Sequence, residues 1–343
     1  MKNIFFLSLS IFLFALNTCS ENPITDETLQ PGRRDYVWTV DTIKVSEGYA
    51  SPFMMWGPTA NNLWALAHAY SNAYRIWHYN GQDWTNYSVN EYIDPWGIYG
   101  FSSNNIWTAS LSTNSIPASF WHYDGSSWLK FCDMNIQGYY HITIQSIAGN
   151  DVNNIYAVGF ADSINGQSYK AIIFHFNGAN WAPINIPDIR NSFVQIFYDS
   201  VSGSFLIAGN TFDTINQYVY NFDGKSVRKI YSTQDGVLLC SIGKNIYLQS
   251  TGKLFKYENG EFNLFKDFSA TNYIGNAWGR SEIDFFTINT DGIGHYNGDN
   301  LTTIYEKPSD NWYPSGATIF NKDVFFIWGD SYNDFIVHGM LIN

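Results

Sequence analysis

A phrase met six times along the chain restricts its fold more than any other feature. It first reads Trp77-His78-Tyr79-Asn80-Gly81-Gln82-Asp83-Trp84, then Trp121-His122-Tyr123-Asp124-Gly125-Ser126-Ser127-Trp128, then Phe174-His175-Phe176-Asn177-Gly178-Ala179-Asn180-Trp181. Looser copies run over 220–227, 255–262 and 294–301. Asn-Gly or Asp-Gly between alternating apolar residues signals a hairpin, and the sequence predicts a two-residue type I′ turn, whose central residues both need positive φ. The aromatic residue before the turn and the large apolar residue after it are five apart in every copy, from Tyr79 and Trp84 to Tyr296 and Leu301. The fifth copy reads as a three-residue loop, Glu258-Asn259-Gly260, yet keeps that distance. Cross-strand packing is therefore expected to set the spacing while the turn varies.

A second phrase precedes each hairpin: Asn62-Leu63-Trp64, Asn105-Ile106-Trp107, Asn154-Ile155-Tyr156, Ser204-Phe205-Leu206, Asn245-Ile246-Tyr247, Asp284-Phe285-Phe286 and Asp323-Val324-Phe325. Short apolar segments ending near glycine stand before most of these, as in Met54-Met55-Trp56-Gly57 and Ile98-Tyr99-Gly100. A repeated four-stranded antiparallel unit of roughly 40 to 50 residues is the signature of a propeller blade. The last unit, ending at 334–339, has a third strand and no fourth, whereas Tyr36-Val37-Trp38-Thr39-Val40 looks like a fourth strand with no blade before it. The sequence thus predicts an all-β fold, a seven-bladed β-propeller of four-stranded antiparallel blades. Residues near 36–45 supply the outer strand of the seventh blade, so the ring closes without open edges.

The propeller is expected to occupy residues 36–343. Before it, Met1-Lys2-Asn3 leads into an apolar run from Ile4 to Leu16 that is too short to span a membrane as a mature helix. Leu16-Asn17-Thr18-Cys19 resembles a bacterial lipoprotein signal, with Thr18 where such signals carry Gly, Ala or Ser. That resemblance implies a signal peptide over 1–18, a lipidated Cys19 and a flexible tether over 19–35. It also implies an extracytoplasmic place in a bacterial cell envelope, with membrane contact only through the lipid; an ordinary secretory signal is the alternative.

The charge of −12 and the lack of a basic patch exclude a nucleic-acid partner. Cys132 and Cys240 fall on an outer and an inner strand of different blades and read as unpaired, buried thiols. Neither a metal nor a cofactor is expected. His78, His122, His175 and His295 recur at one blade position, where the fourth and fifth units carry Asn221 and Lys256. Residues on separate blades do not converge on one ion, so these histidines read as structural. The hairpin phrase also lacks the Asp-box of sialidase-like propellers, because tyrosine or phenylalanine stands two residues before the glycine.

The body from Tyr36 onward resembles bacterial secreted β-propeller repeat proteins with units of the form Trp-Gly-x-x-x-Asn-Asp-Val-Trp-Ala-Val-Gly followed by His-Tyr-Asp-Gly-x-x-Trp. The match is clearest from Trp56-Gly57 to Trp84 and from Gly149 to Trp181. This resemblance implies the fold and the setting, and no reaction.

The loops opposite the Asn-Gly turns hold the residues that do not repeat, and rings on such loops suit binding. Tyr92, Asp94, Trp96, Tyr140, His141, Arg190, Tyr273, Trp312 and Tyr313 are the candidate ligand-binding residues; no catalytic residue is assigned. The expected function is that of a non-enzymatic, monomeric binding or scaffold protein that meets a glycan or an envelope or extracellular protein on this face. A glycan hydrolase or lyase working from the same face is the alternative, and so is a structural adhesin.

Overall fold

The structure is a computed structural model and describes residues 31–113, 115–163, 169–211, 215–308, 313–329 and 334–342, with only the backbone at Tyr313. Residues 1–30, with Cys19, and residue Trp312 lie outside this set. The described residues form twenty-eight strands and a single short 3₁₀ turn, Asn72–Tyr74.

The first sheet pairs Ala50–Thr59, Asn62–Ala69, Ile76–Tyr79 and Trp84–Asn86 in chain order, all antiparallel. The same meander recurs over 95–133, 139–183 and 192–233. Next comes an eight-stranded sheet, made of two antiparallel sets of four over 238–267 and 273–306. One parallel pair, Ile242 with Gly279, joins them. The last sheet orders Tyr313–Ile319, Asp323–Gly329 and Asp334–Leu341, and Tyr36–Thr42 pairs on its outer edge from Tyr36 opposite Leu341 to Thr42 opposite Phe335. The first strand of each set touches the first strand of the next, and the one that opens the last sheet touches Ala50–Thr59. The sheets therefore stand in a closed ring around an axis lined by their first strands.

The core lies between neighbouring sheets, as face-to-face packing requires. Trp64 and Leu66 of the first sheet pack with Ile98, Ile106, Trp121 and Trp128 of the second. Trp107 of the second in turn meets Phe176 and Trp181 of the third, with ring centroids 4.7 and 5.5 Å apart. Glycine is needed where one sheet leans on the next: a Cβ on Gly100 would sit 2.5 Å from the Trp56 ring of the preceding sheet.

The recurring histidines are clamps within each sheet. Each takes a hydrogen bond with the first residue of the second strand: His78 with Asn62 at 2.9 Å, His122 with Asn105 at 3.2 Å, His175 with Asn154 at 2.8 Å and His295 with Asp284 at 2.8 Å. His338 makes the same contact with Asp323 at 2.9 Å. Each ring also meets the aromatic directly across the strand pair, tilted against Trp64 at 4.4 Å and stacked on Phe325 at 4.0 Å, for example.

The turns correct one expectation. Tyr79 pairs with Trp84, so four residues form the loop, closed by Asn80 N–H donating to Asp83 O at 3.3 Å. Asn80 Oδ1 accepts the N–H groups of Gln82 and Asp83, both at 2.9 Å. Only the glycine has positive φ, 95° at Gly81. The asparagine side chain replaces the backbone hydrogen bonds that a type I′ turn would make, which removes the need for a second positive φ. The two-residue turn is in the fifth copy instead, where Glu258 pairs with Glu261 and Asn259 and Gly260 have φ of 55° and 89°. Cys132 and Cys240 are unpaired.

Candidate binding face

In the first sheet, the loop from the second to the third strand and the loop out to the next sheet lie at one end, opposite the Asn-Gly turn. Asn72 fastens them together. Its Nδ2 donates to Glu91 O at 2.9 Å, and its Oδ1 accepts from Ile93 N–H at 2.9 Å. Ser71 caps the 3₁₀ turn by accepting from Ala73 N–H at 3.3 Å. Arg75, at the end of this turn, forms an ion pair with Asp94. Arg75 Nη2 also donates to Tyr92 Oη at 3.3 Å, and its guanidinium lies 5.1 Å from the Tyr92 ring centre. Below them His68 is stacked on Phe53 at 4.2 Å and meets Trp96 at 5.0 Å. Burial holds the His68 imidazole below its usual pKa; Asp94 opposes this and Arg75 adds to it. Burial thus favours the neutral form of the His68 ring.

The structure brings Tyr92, Asp94 and Trp96 together around Arg75 and His68. It places Tyr140 against His141, 4.8 Å between ring centres, on the rim of a cavity of about 300 Å³ that Ser112, Ile116 and Met134 also line. His141 lies opposite Asp162 in the strand register, and its charge opposes the effect of burial, which raises the Asp162 pKa. Arg190 is exposed in the loop before Ser192–Asp199. Asp94, His141, Arg190 and Tyr273 do not meet in one site. Tyr273 needs correction: it is 5% exposed, packs 5.4 Å from Phe268 and belongs to the core of the eight-stranded sheet. It starts Tyr273–Ser281, and alternation turns it inward with Gly275 and Ala277 while Ile274 points out. Tyr313 opens the last sheet opposite Gly329.

Two residues on this face escaped the sequence reading. Tyr49 and Tyr70 are 57% and 73% exposed, and Tyr70 N–H donates to Tyr49 O at 3.1 Å. The signal was available: both flank a largely apolar strand pair, and Tyr49 stands eight residues before Gly57 as Tyr92 stands before Gly100. With Tyr92 and Tyr140, exposed by 36% and 46%, they make four accessible phenol rings at the loop ends of the first three sheets.

At the axis is a cavity of about 350 Å³, lined by first-strand residues such as Phe53, Met54, Gln145, Gln195, Phe197 and Leu239. Gln195 clamps the neighbouring strand, accepting from Leu239 N–H at 2.8 Å and donating to Leu239 O at 3.1 Å. Among the described residues the lining holds no carboxylate, histidine, lysine or arginine. Cys240 is the one ionisable group among the described lining residues, and burial pushes its thiol up to about 12, which leaves it an inert apolar side chain. The described lining offers rings, amides and apolar surface.

No family model and no curated protein matches this chain in sequence. Solved structures do match in shape. A catalytically inactive virginiamycin B lyase from Staphylococcus aureus, solved with quinupristin, is 13% identical, with TM-score 0.63 over 89% of this chain and 100% of its own. YCF48 bound to D1 peptide is 12% identical, with TM-score 0.62 over 92% of this chain and 100% of its own. The Swd1 β-propeller domain from Myceliophteria thermophila is 7% identical, with TM-score 0.54 over 90% and 100%. This chain has a β-propeller fold. At such identities the likeness extends to the fold alone, and the specific repeat motif of the bacterial secreted propellers has no family match behind it.

Proposed function

We propose that this propeller is a non-enzymatic binding protein that docks a protein partner on its loop face, held outside the cytoplasm in a bacterial envelope by a lipid on Cys19. One observation carries the reading: four exposed tyrosines stand at one end of the first three sheets, and the described residues that line the axial cavity include no carboxylate, histidine, lysine or arginine. Tyrosine provides large contact area at small entropy cost, and apolar side chains at the axis suit a polypeptide better than a sugar. The neighbours include a lyase and a peptide-bound protein on one fold, so the fold leaves the choice to the groups on the face. A glycan is the second reading, favoured by the ring surfaces beside Asp94 and Arg75. A hydrolase would need a pair of carboxylates near the substrate, and a lyase a proton-abstracting cluster such as a Tyr–His–Arg group.

The same reading counts the eight-stranded sheet as two blades. Its two sets of four strands touch through one parallel pair, which supports seven blades with Tyr36–Thr42 completing the last.

The test is capture from an envelope fraction by the mature chain and by the Tyr49→Ala, Tyr70→Ala, Tyr92→Ala, Tyr140→Ala variant. A partner held by the first and lost by the second is the expected result; identical partners on both would refute the assignment of the face. Palmitate incorporation that survives Cys19→Ala would refute the anchor.

A further inference from the structure

The repeat loses its second-strand ring in the fourth unit, and a cavity opens beside it. The third residue of the second-strand phrase is aromatic in every copy except the fourth, where it is Leu206. Its cross-strand partner is a histidine or lysine elsewhere and Asn221 here. Between the first two sheets the equivalent space is filled by Trp64 against Tyr123 at 4.6 Å and Trp128 at 5.5 Å. Between the fourth sheet and the 238–267 set, at the end that carries the Asn-Gly turns, lies instead a cavity of about 720 Å³. That is within the range of small-molecule sites.

Its lining is polar and held in place. Asp199 is buried and fixes the turn of 199–203, accepting from Val201 N–H at 3.1 Å, Ser202 N–H at 3.2 Å and Ser202 Oγ at 2.5 Å. Asp223 accepts from the N–H groups of Lys225 and Ser226 at 2.9 and 2.7 Å. Asn221 Nδ2 donates to Ser204 Oγ at 2.6 Å and the side chain also bonds Tyr257, which fixes the amide and turns its carbonyl to other partners. Across the cavity stand Asn245, Tyr257 and Glu258, and Glu258 pairs with Lys256 at 2.6 Å, a cation that it shares with Glu282 at 2.7 Å. Arg228 lies opposite Asn221 in the strand pair, exposed and without an ion pair among the described residues.

The signs of these charges select the ligand. An anion would face Asp199 and Asp223, and a cation would face Arg228. A neutral polyol offers donors and acceptors on adjacent carbons, which matches a guanidinium beside carboxylates, amides and hydroxyls. We propose that this cavity binds a neutral saccharide unit, with Arg228 and Asn221 as its principal contacts. This site lies on the face opposite the tyrosines and stands independently of the partner proposed for them.

A glycan array of the full mature chain, followed by calorimetry with the selected sugar, tests this. The expected result is selective binding of a neutral sugar, weakened by about tenfold or more in Arg228→Ala, the loss of a hydrogen bond to a charged group. The pair Leu206→Trp with Asn221→His, which refills the space with the residues of the other copies, should abolish binding, and the four-tyrosine variant should retain it. Should the refilled variant fold poorly, the exposed Arg228→Ala change decides alone. A blank array, selection of charged sugars only, or affinity that Arg228→Ala leaves unchanged would overturn the proposal.

Discussion

At the scale of single residues, the histidine clamps give the fold a pH dependence. Burial holds His78, His122, His175 and His295 below the ordinary histidine value, and at His295 Asp284 opposes this while Arg34 and Arg280 add to it. Arg34 Nε donates to His295 Nδ1 at 3.3 Å, so Nδ1 accepts and Nε2 carries the proton that Asp284 receives. Well above the ordinary histidine pKa of about 6.5 these rings are neutral in both the folded and the unfolded chain. Below it the unfolded chain takes up protons that the folded one resists, so stability falls as pH falls. Calorimetric melting is expected to show Tm declining from pH 7 towards pH 5; a flat profile would contradict the clamp. The structural role of these histidines was legible in their recurrence on separate blades. Their partners were legible only in part, because Asn62, Asn105 and Asn154 look like turn residues until the strand pairing brings them beside His78, His122 and His175. His338 was missed because no Asn-Gly turn follows it.

At the scale of elements, spacing was readable and backbone conformation was not. The five-residue interval reflects directly opposed pairs such as Tyr79 with Trp84 and Tyr257 with Phe262. The sequence does not reveal that Asn80 or Asp124 closes a four-residue loop through its side chain. Asp124 Oδ1 accepts from Ser126 N–H at 2.8 Å and Ser127 N–H at 2.9 Å, which lowers its carboxyl pKa to about 2. Gly125 has φ 99°, and an added Cβ would lie 2.7 Å from Asn104 Cβ. Gly125→Ala is therefore expected to cost at least about 1–2 kcal/mol in urea unfolding. Trp64 is 1% exposed and joins the first two sheets, so Trp64→Ala is expected to cost about 3–5 kcal/mol. A loss below 1 kcal/mol would mean that the sheets do not depend on it. Tyr273 shows where alternation misleads: either Tyr273 or Ile274 can face inward by pattern alone, and only the register with Asn289 decides.

At the scale of the whole molecule, closure depends on the first described segment. Tyr36–Thr42 covers the edge of Asp334–Leu341, and Arg34 holds the chain just before it by donating to His295 O at 2.8 Å and Asn300 O at 2.6 Å. Tyr36 Oη accepts from Arg280 Nη2 at 3.0 Å. Removing residues 31–42 exposes a long unpaired edge, and the truncated chain is expected to aggregate and to melt at a lower temperature than the intact one. Closure could be read by counting phrases, because it rests on repeated residues. A binding surface could not, because Tyr49, Tyr70, Tyr92 and Tyr140 lie at strand ends and in loops outside the two repeated phrases. The most direct measurement is peptide-level hydrogen exchange of the mature chain, alone and with the partner it captures. Slower exchange in the partner's presence over 45–50, 69–75, 88–96 and 136–141 is the result this account requires. Protection confined to the turns at 80–83, 124–127 and 223–226, or no captured partner at all, would contradict it.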